Sequence, residues 1–216
     1  MKRGSGKLAA VLAGLLALLW CGSALGANLV INGGFELGNQ DFGSDYLFSS
    51  NLVPEGRYAI CNNPHDYHSC WPNPSVVPYE GTKMMIINGA TISGQDVWTQ
   101  TVSGILPTTQ YFFSTRVASI IPTAPAKMAF YIGADKIGEL QAGGGTAWEL
   151  FYGTWTSGTG TTADLALVNL NTAQNGNDFC LDDIRMDVTN PVPLPPSVLF
   201  LGSGLLGLGL LRYRRR

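Results

Sequence analysis

Between Lys83 and Leu170 the sequence breaks into six short extended runs, each closed by a turn signal, and this rhythm limits the fold more than any other feature. The runs are Lys83 to Asn88, Val97 to Val102, Gln110 to Ala118, Ala126 to Ile132, Ala147 to Trp155 and Ala163 to Leu170. Turns such as Asn88-Gly89, Gly104-Ile105-Leu106-Pro107 and Ser157-Gly158-Thr159-Gly160 separate them. Short strands at such spacing predict two packed sheets. Alternation sets Tyr111, Phe113, Thr115 and Val117 on one face of their strand, and Met128, Phe130 and Ile132 on one face of the next. These faces supply the core, leaving the more polar faces outside. Trp98, Trp148 and Trp155, which fall within the strands, are assigned to the core.

Two further stretches lie far apart in sequence: Asn28 to Glu36, NLVINGGFE, and Gly176 to Met186, GNDFCLDDIRM. Both read as strands, the first β-branched before a Gly-Gly break and the second alternating around two adjacent carboxylates. A sandwich that brings its termini together sets Glu36 near Asp182 and Asp183. Three gathered carboxylates repel one another unless a hard cation takes their oxygens, and calcium accepts six to eight such ligands. A structural calcium is therefore expected there. NGGFE and NDFCLDDI also resemble the terminal signatures of galactose-binding-like β-sandwiches, the jelly-roll group that includes many carbohydrate-binding modules. The resemblance implies calcium ligands at Glu36 and Asp182, with Asp183 the lesser candidate. VWTQTVSGILPTTQYFFS, AKMAFYIGADKIGEL and WELFYGTWTSG fall in the same order as in secreted members of that group, so the resemblance spans nearly all of residues 27–190. The expected fold class is all-β, a jelly-roll β-sandwich.

The two ends read differently. Residues 1–26 have a basic start, an apolar run from Leu8 to Trp20 and small residues at Ala24 and Gly26, the pattern of a secretory signal peptide and its signal helix. Residues 191–216 begin Pro191-Val192-Pro193-Leu194-Pro195-Pro196, continue through an apolar and glycine-rich run from Ser197 to Leu211, and end on Arg212, Arg214, Arg215 and Arg216. The run has no polar face to turn outward, so it reads as a transmembrane helix with its arginines held cytoplasmic. A short motif, an apolar helix and an arginine cluster resemble the PEP-CTERM family of bacterial sorting tails, with Val192, Pro193, Leu194 and Pro195 similar to its VPLPA variant. That resemblance implies an exosortase-type processing enzyme as partner, transient membrane attachment, and a host that makes exopolysaccharide or biofilm.

Charge narrows the partners. The termini hold seven of the 13 basic residues and none of the 15 acidic ones, which leaves the central region with six against 15 and a net charge of −9. Nucleic acid is excluded as a partner by repulsion from its phosphates. The central region keeps Cys61, Cys70 and Cys180, an odd number for an oxidising compartment. Cys61 and Cys70 bracket a loop with little apolar surface of its own, where a disulfide is expected. Cys180, taken in phase with Ile184 and Met186, is expected as a buried free thiol.

Residues 38–78 show no sustained period and read as a long loop region with short strands near Leu47 and at Tyr58 to Cys61. Loops on a rigid sandwich are where binding residues concentrate. Trp71 and Tyr79 are the aromatic candidates for stacking on sugar rings, with Asn73 and Glu80 as polar neighbours. His65 and His68 in HDYH, with Asp66, have weak metal-ligand spacing. No nucleophile–base constellation and no supported carboxylate pair is present, so catalysis is not expected. The sequence thus points to a non-catalytic, exported surface or matrix protein associated with exopolysaccharide and binding glycan, the alternative being a protein-binding adhesin or scaffold.

Overall fold

A computed structural model describes residues 28–73 and 75–188. The expected signal helix and the sorting tail, including Val192 to Pro195 and the terminal arginines, lie outside the described residues. Among the described residues ten strands form two facing sheets. In chain order they are β1 (Leu47–Phe48), β2 (Arg57–Cys61), β3 (Met84–Asn88), β4 (Asp96–Ser103), β5 (Gln110–Ser119), β6 (Lys127–Ile132), β7 (Asp135–Gln141), β8 (Glu149–Thr156), β9 (Thr162–Asn169) and β10 (Asp178–Asp187). One sheet runs β1-β2-β3-β10-β5-β8 and the other β4-β9-β6-β7. The last strand therefore sits at the centre of the larger sheet, antiparallel to both β3 and β5.

The inward faces are those the alternation predicts. Tyr111, Phe113 and Val117 of β5 meet Met128, Phe130 and Ile132 of β6 in the main core, with Trp98 fully buried among them. Phe130 and Phe151 stack across the sheets at 3.5 Å between centroids. Each fully buried side chain of this size contributes roughly 1.5–3 kcal/mol. Trp148 and Trp155 are only half-buried, which corrects their assignment to the core. β7 is absent from the strands expected above, because DKIGELQ is an exposed edge strand whose charges mask the alternation.

The larger sheet is also covered on part of its outer face. The segments on either side of β2, residues 49–56, 62–73 and 75–78, cross it as a strap and insert Leu52, Trp71 and Val76 against Ala59, Met84, Ile86, Ala118 and Cys180, forming a second core. Strand β3, MMIIN, is consequently buried at every position. That explains its unbroken apolar run.

The segment from Asn28 to Glu36 does lie beside β10, as expected, but it is not a strand. Asn32 and Phe35 have positive φ, at 55° and 58°, and the chain turns there. Its contact with β10 is made by Leu29 N–H donating to the Met186 carbonyl at 2.8 Å and Ile184 N–H to the Gly33 carbonyl at 3.0 Å. A Cβ on Gly33 would lie 2.0 Å from the Ile184 oxygen, so only glycine allows this approach. Opposite it, β10 carries a bulge between Asp182 and Arg185, with Asp183 at φ 51°. Phe179 and Leu181 before the bulge and Ile184 and Met186 after it all face the main core. Cys180 is buried and free as expected, yet it lies in the second core, opposite in phase to Ile184 and Met186.

Candidate functional site

Beyond the strap, the outer face of β10, β5 and β8 is open. β5 turns Phe112, Ser114 and Arg116 toward it, with Ser114 only 4% exposed and Ala118 already under the strap, and β8 pairs Leu150 with Arg116 and Tyr152 with Ser114. The bulge brings Asp182 beside Arg116 and Arg185 beside Ser114 on the same face. The strap ends at this boundary. Val77 accepts the Trp148 indole N–H at 2.9 Å, and the Tyr79 ring meets Trp148 edge-on at 6.2 Å. The Arg116 guanidinium lies 4.2 Å over the Tyr79 ring, a cation–π contact that holds both side chains in place. Tyr79 is 42% exposed and Tyr152 50%. The result is a shallow surface with four aromatic side chains, Tyr79, Phe112, Trp148 and Tyr152, two guanidiniums and the Glu80 carboxylate.

The acids near this face are braced by the protein itself. Asp182 Oδ2 accepts the backbone N–H groups of Tyr79 at 2.8 Å and Glu80 at 3.2 Å, while Oδ1 accepts that of Asp183. Glu36 accepts the N–H groups of Thr82 and Lys83 and the Thr82 hydroxyl, all within 2.8 Å. The two acids thus clamp opposite ends of one five-residue segment, Tyr79 to Lys83. Asp183 instead pairs with Arg185, which also reaches Glu80 at 3.1 Å. Glu36, Asp182 and Asp183 therefore face separate donors, and among the described residues no group of three or more His, Cys, Asp or Glu side chains converges as a metal cage. Burial pushes the Asp182 carboxyl up to about 7, against the lowering effect of its three N–H bonds. For Glu36 a raising effect of burial is outweighed by the Thr82 and Lys83 bonds, and the carboxyl is held below its ordinary value.

The other glycan candidates separate. Tyr79 and Glu80 belong to the open face, and Asn73 is exposed on the strap. Trp71 is 3% exposed and has no face to offer a ligand, which corrects its choice as a stacking platform. Its indole N–H donates to Asp178 Oδ2 at 3.2 Å, His68 stacks on it at 4.7 Å, and the His65 ring contacts its carbonyl at 2.8 Å. The HDYH histidines thus pack around a buried tryptophan. The Cys61–Cys70 disulfide is likewise corrected, since both are free thiols, Cys61 buried in the second core and Cys70 exposed. Burial pushes the Cys61 thiol up to about 12. Trp148, Tyr152, Arg116 and Arg185 were missed. The phase of WELFYGTW held the signal: if Phe151 faces the core, Trp148, Leu150, Tyr152 and Thr154 cannot all do so.

Two recesses lie elsewhere. One of about 520 Å³, on the outer face of the small sheet, is lined by Asp41, Asp96, Thr99, Gln100 and Asp164 among others. One of about 600 Å³ beside the strap is lined by Ser50, Cys61, Asp66, Tyr67 and Lys83 among others. Neither sets several exposed aromatic rings together, as the open face does.

No family model matches the sequence, and no curated protein matches it. The fold is similar to those of solved β-sandwiches. A family 61 carbohydrate-binding module in complex with β-1,4-galactotriose superposes with a TM-score of 0.52 at 15% identity, over 75% of this chain and 99% of that one. A xylan-binding domain of family 22 does so with a TM-score of 0.51 at 13% identity, over 77% and 99%. A cyclase from Fischerella sp. TAU gives a TM-score of 0.48 at 15% identity, over 74% and 98%. At these identities the similarity establishes the fold, an all-β sandwich of the kind found in carbohydrate-binding modules.

Proposed function

We propose that this protein is a non-catalytic carbohydrate-binding β-sandwich, exported to the cell surface or extracellular matrix, and that it meets glycan on the open face of β10, β5 and β8. The observation that carries this reading is the grouping of Tyr79, Trp148 and Tyr152 around Arg116 and Arg185 on one rigid sheet. Rings held this way stack on the apolar C–H faces of sugars, while guanidiniums and amides bond their hydroxyls. The similarity of the fold to carbohydrate-binding modules supports it. Glu80 and Asp183 are both engaged by Arg185, an arrangement suited to binding and not to proton transfer.

Export rests on the signal-like start, and retention on the PEP-CTERM-like tail, with an exosortase-type enzyme and the membrane as partners of that tail. Exopolysaccharide is the glycan this setting offers. Calcium at Glu36, Asp182 and Asp183 is a separate proposal. It requires these carboxylates to turn from donors they now face, or to bind through lone pairs those bonds leave open.

The test is retention of the full chain, in mild detergent, on a glycan array and on exopolysaccharide of the producing cells. Saturable retention that weakens at least tenfold in Tyr152→Ala, with melting temperature unchanged, and in the Trp148→Ala protein that remains folded, supports the reading. No retention by the folded protein would move the assignment to a protein-binding scaffold.

A further inference from the structure

Arg116 is the unbalanced group on the open face. It stands near the middle of β5, with Asp182 on one side and Leu150 on the other. Its neighbour Asp182 spends its oxygens on backbone N–H groups, and no ion pair joins the two among the described residues. The Nε of Arg116 is shielded from solvent and makes no hydrogen bond. A shielded donor without an acceptor is uncommon and carries a desolvation penalty. Arg185, the other guanidinium on the face, is already balanced by Glu80 and Asp183.

We infer that the glycan bound here is acidic, and that Arg116 receives the carboxylate of a uronic acid residue. The inference rests on the proposed glycan-binding face and names the class of sugar it takes. A neutral hydroxyl can fill one donor, but only an anion also balances the charge, and ionic hydrogen bonds are roughly twice as strong as neutral ones. Guanidinium geometry favours a carboxylate in particular, whose two oxygens match two parallel N–H groups. The contact with the Tyr79 ring holds the guanidinium in place beforehand, which lowers the entropy lost on binding. Arg185 engages the two nearest acids, Glu80 and Asp183, and so holds their oxygens away from an incoming carboxylate, although the three charges still sum to −1. The overall acidity of the chain keeps the attraction confined to this face.

The experiment is affinity electrophoresis of the full chain in mild detergent with chelator present. The gels contain polygalacturonate or alginate, the same polymers after carboxyl reduction, or neutral xylan and β-1,4-galactan. The expected result is retention by a uronate polymer that falls about tenfold or more on carboxyl reduction, and similarly in Arg116→Gln. Arg116→Lys keeps the charge without the planar fork and should fall between the two. Arg57→Gln, at the far side of the same sheet, should leave retention unchanged. If Arg116→Gln does not fold, the carboxyl-reduced polymers decide with the unaltered protein. Equal retention of native and reduced polymers, or retention of neutral polymers alone, overturns the inference and leaves the glycan-binding face standing. No retention of any polymer overturns both.

Discussion

Asp178 offers a test of the buried strap that needs no ligand. Its carboxyl lies in the second core with the Trp71 indole N–H on Oδ2 at 3.2 Å. Burial pushes its pKa from an ordinary 3.8 up to about 7, the Trp71 bond opposing and Glu55 adding to the rise. The folded pKa is above the unfolded one, so between the two values the folded protein holds a proton that the unfolded chain has lost. Stability from this group is thus present at low pH and is lost as pH rises through about 7. From pH 5 to pH 8 the loss amounts to about 2.5 kcal/mol for one such group. Asp182, raised to about 7 by burial, acts in the same direction. His68 opposes them, since burial lowers its pKa and folding then resists its protonation. We expect urea midpoints to rise as pH falls from 8 to 6, the reverse of ordinary acid lability. Asp178→Asn keeps an acceptor for the indole but cannot ionise, so its pH slope should be clearly shallower than that of the unaltered protein. A pH-independent offset from the buried amide would not alter that comparison. Parallel slopes in the two proteins would refute the reasoning, as would loss of stability between pH 8 and pH 6.

Further outcomes follow from other contacts. Trp71→Ala should destabilise by about 3–5 kcal/mol, read by urea denaturation, because it empties the second core. Glycan retention by the protein that remains folded should not fall, which separates a structural tryptophan from a binding one. Gly33→Ala forces a Cβ against the Ile184 carbonyl and should lower the melting temperature by several degrees. Melting in calcium and in chelator tests the calcium proposal: a rise in calcium that Glu36→Gln and Asp182→Asn abolish supports it, and identical curves count against it. Neutralising Arg212, Arg214, Arg215 and Arg216 should impair surface retention and change the mature mass, read by cell fractionation and mass spectrometry.

Much of the sandwich was legible because one-sided burial writes an alternation into the chain. Tyr111, Phe113 and Val117 face the core and Arg116 does not, and that pattern survives without any structure. Legibility failed where there was no core at all. β3 could be read as a strand from its apolar run, although burial on both faces leaves no period to tell one face from the other, while β7 is exposed at an edge and carries charges wherever they fit. Residues 28–36 looked extended because Val30 and Ile31 are β-branched, yet Asn32 and Phe35 take positive φ to satisfy the bulge beside them. Trp71 was misplaced for a different reason. Nothing in an aperiodic loop reports whether its tryptophan points outward to a ligand or inward to a neighbouring sheet, and here the partner Asp178 lies 107 positions away. The same distance in sequence hid the open face: Tyr79, Arg116, Trp148 and Arg185 meet only after β10 takes its place beside β5.

The bulge in β10 makes that strand a phase shifter. Before it, odd-numbered residues look into the sandwich; after it, even-numbered ones do. Removing Asp183 would take out the extra residue alone: Ile184 would stand opposite Thr115, Arg185 would keep Ser114, and both faces downstream would stay as they are. What the deletion costs is the Asp183–Arg185 pair and the local turn of the strand. A residue inserted between Arg185 and Met186 has no such slack: it would lay Met186 on the open surface and turn Asp187 toward the apolar interior. The bulge is thus the one place in β10 where the chain holds a residue in reserve.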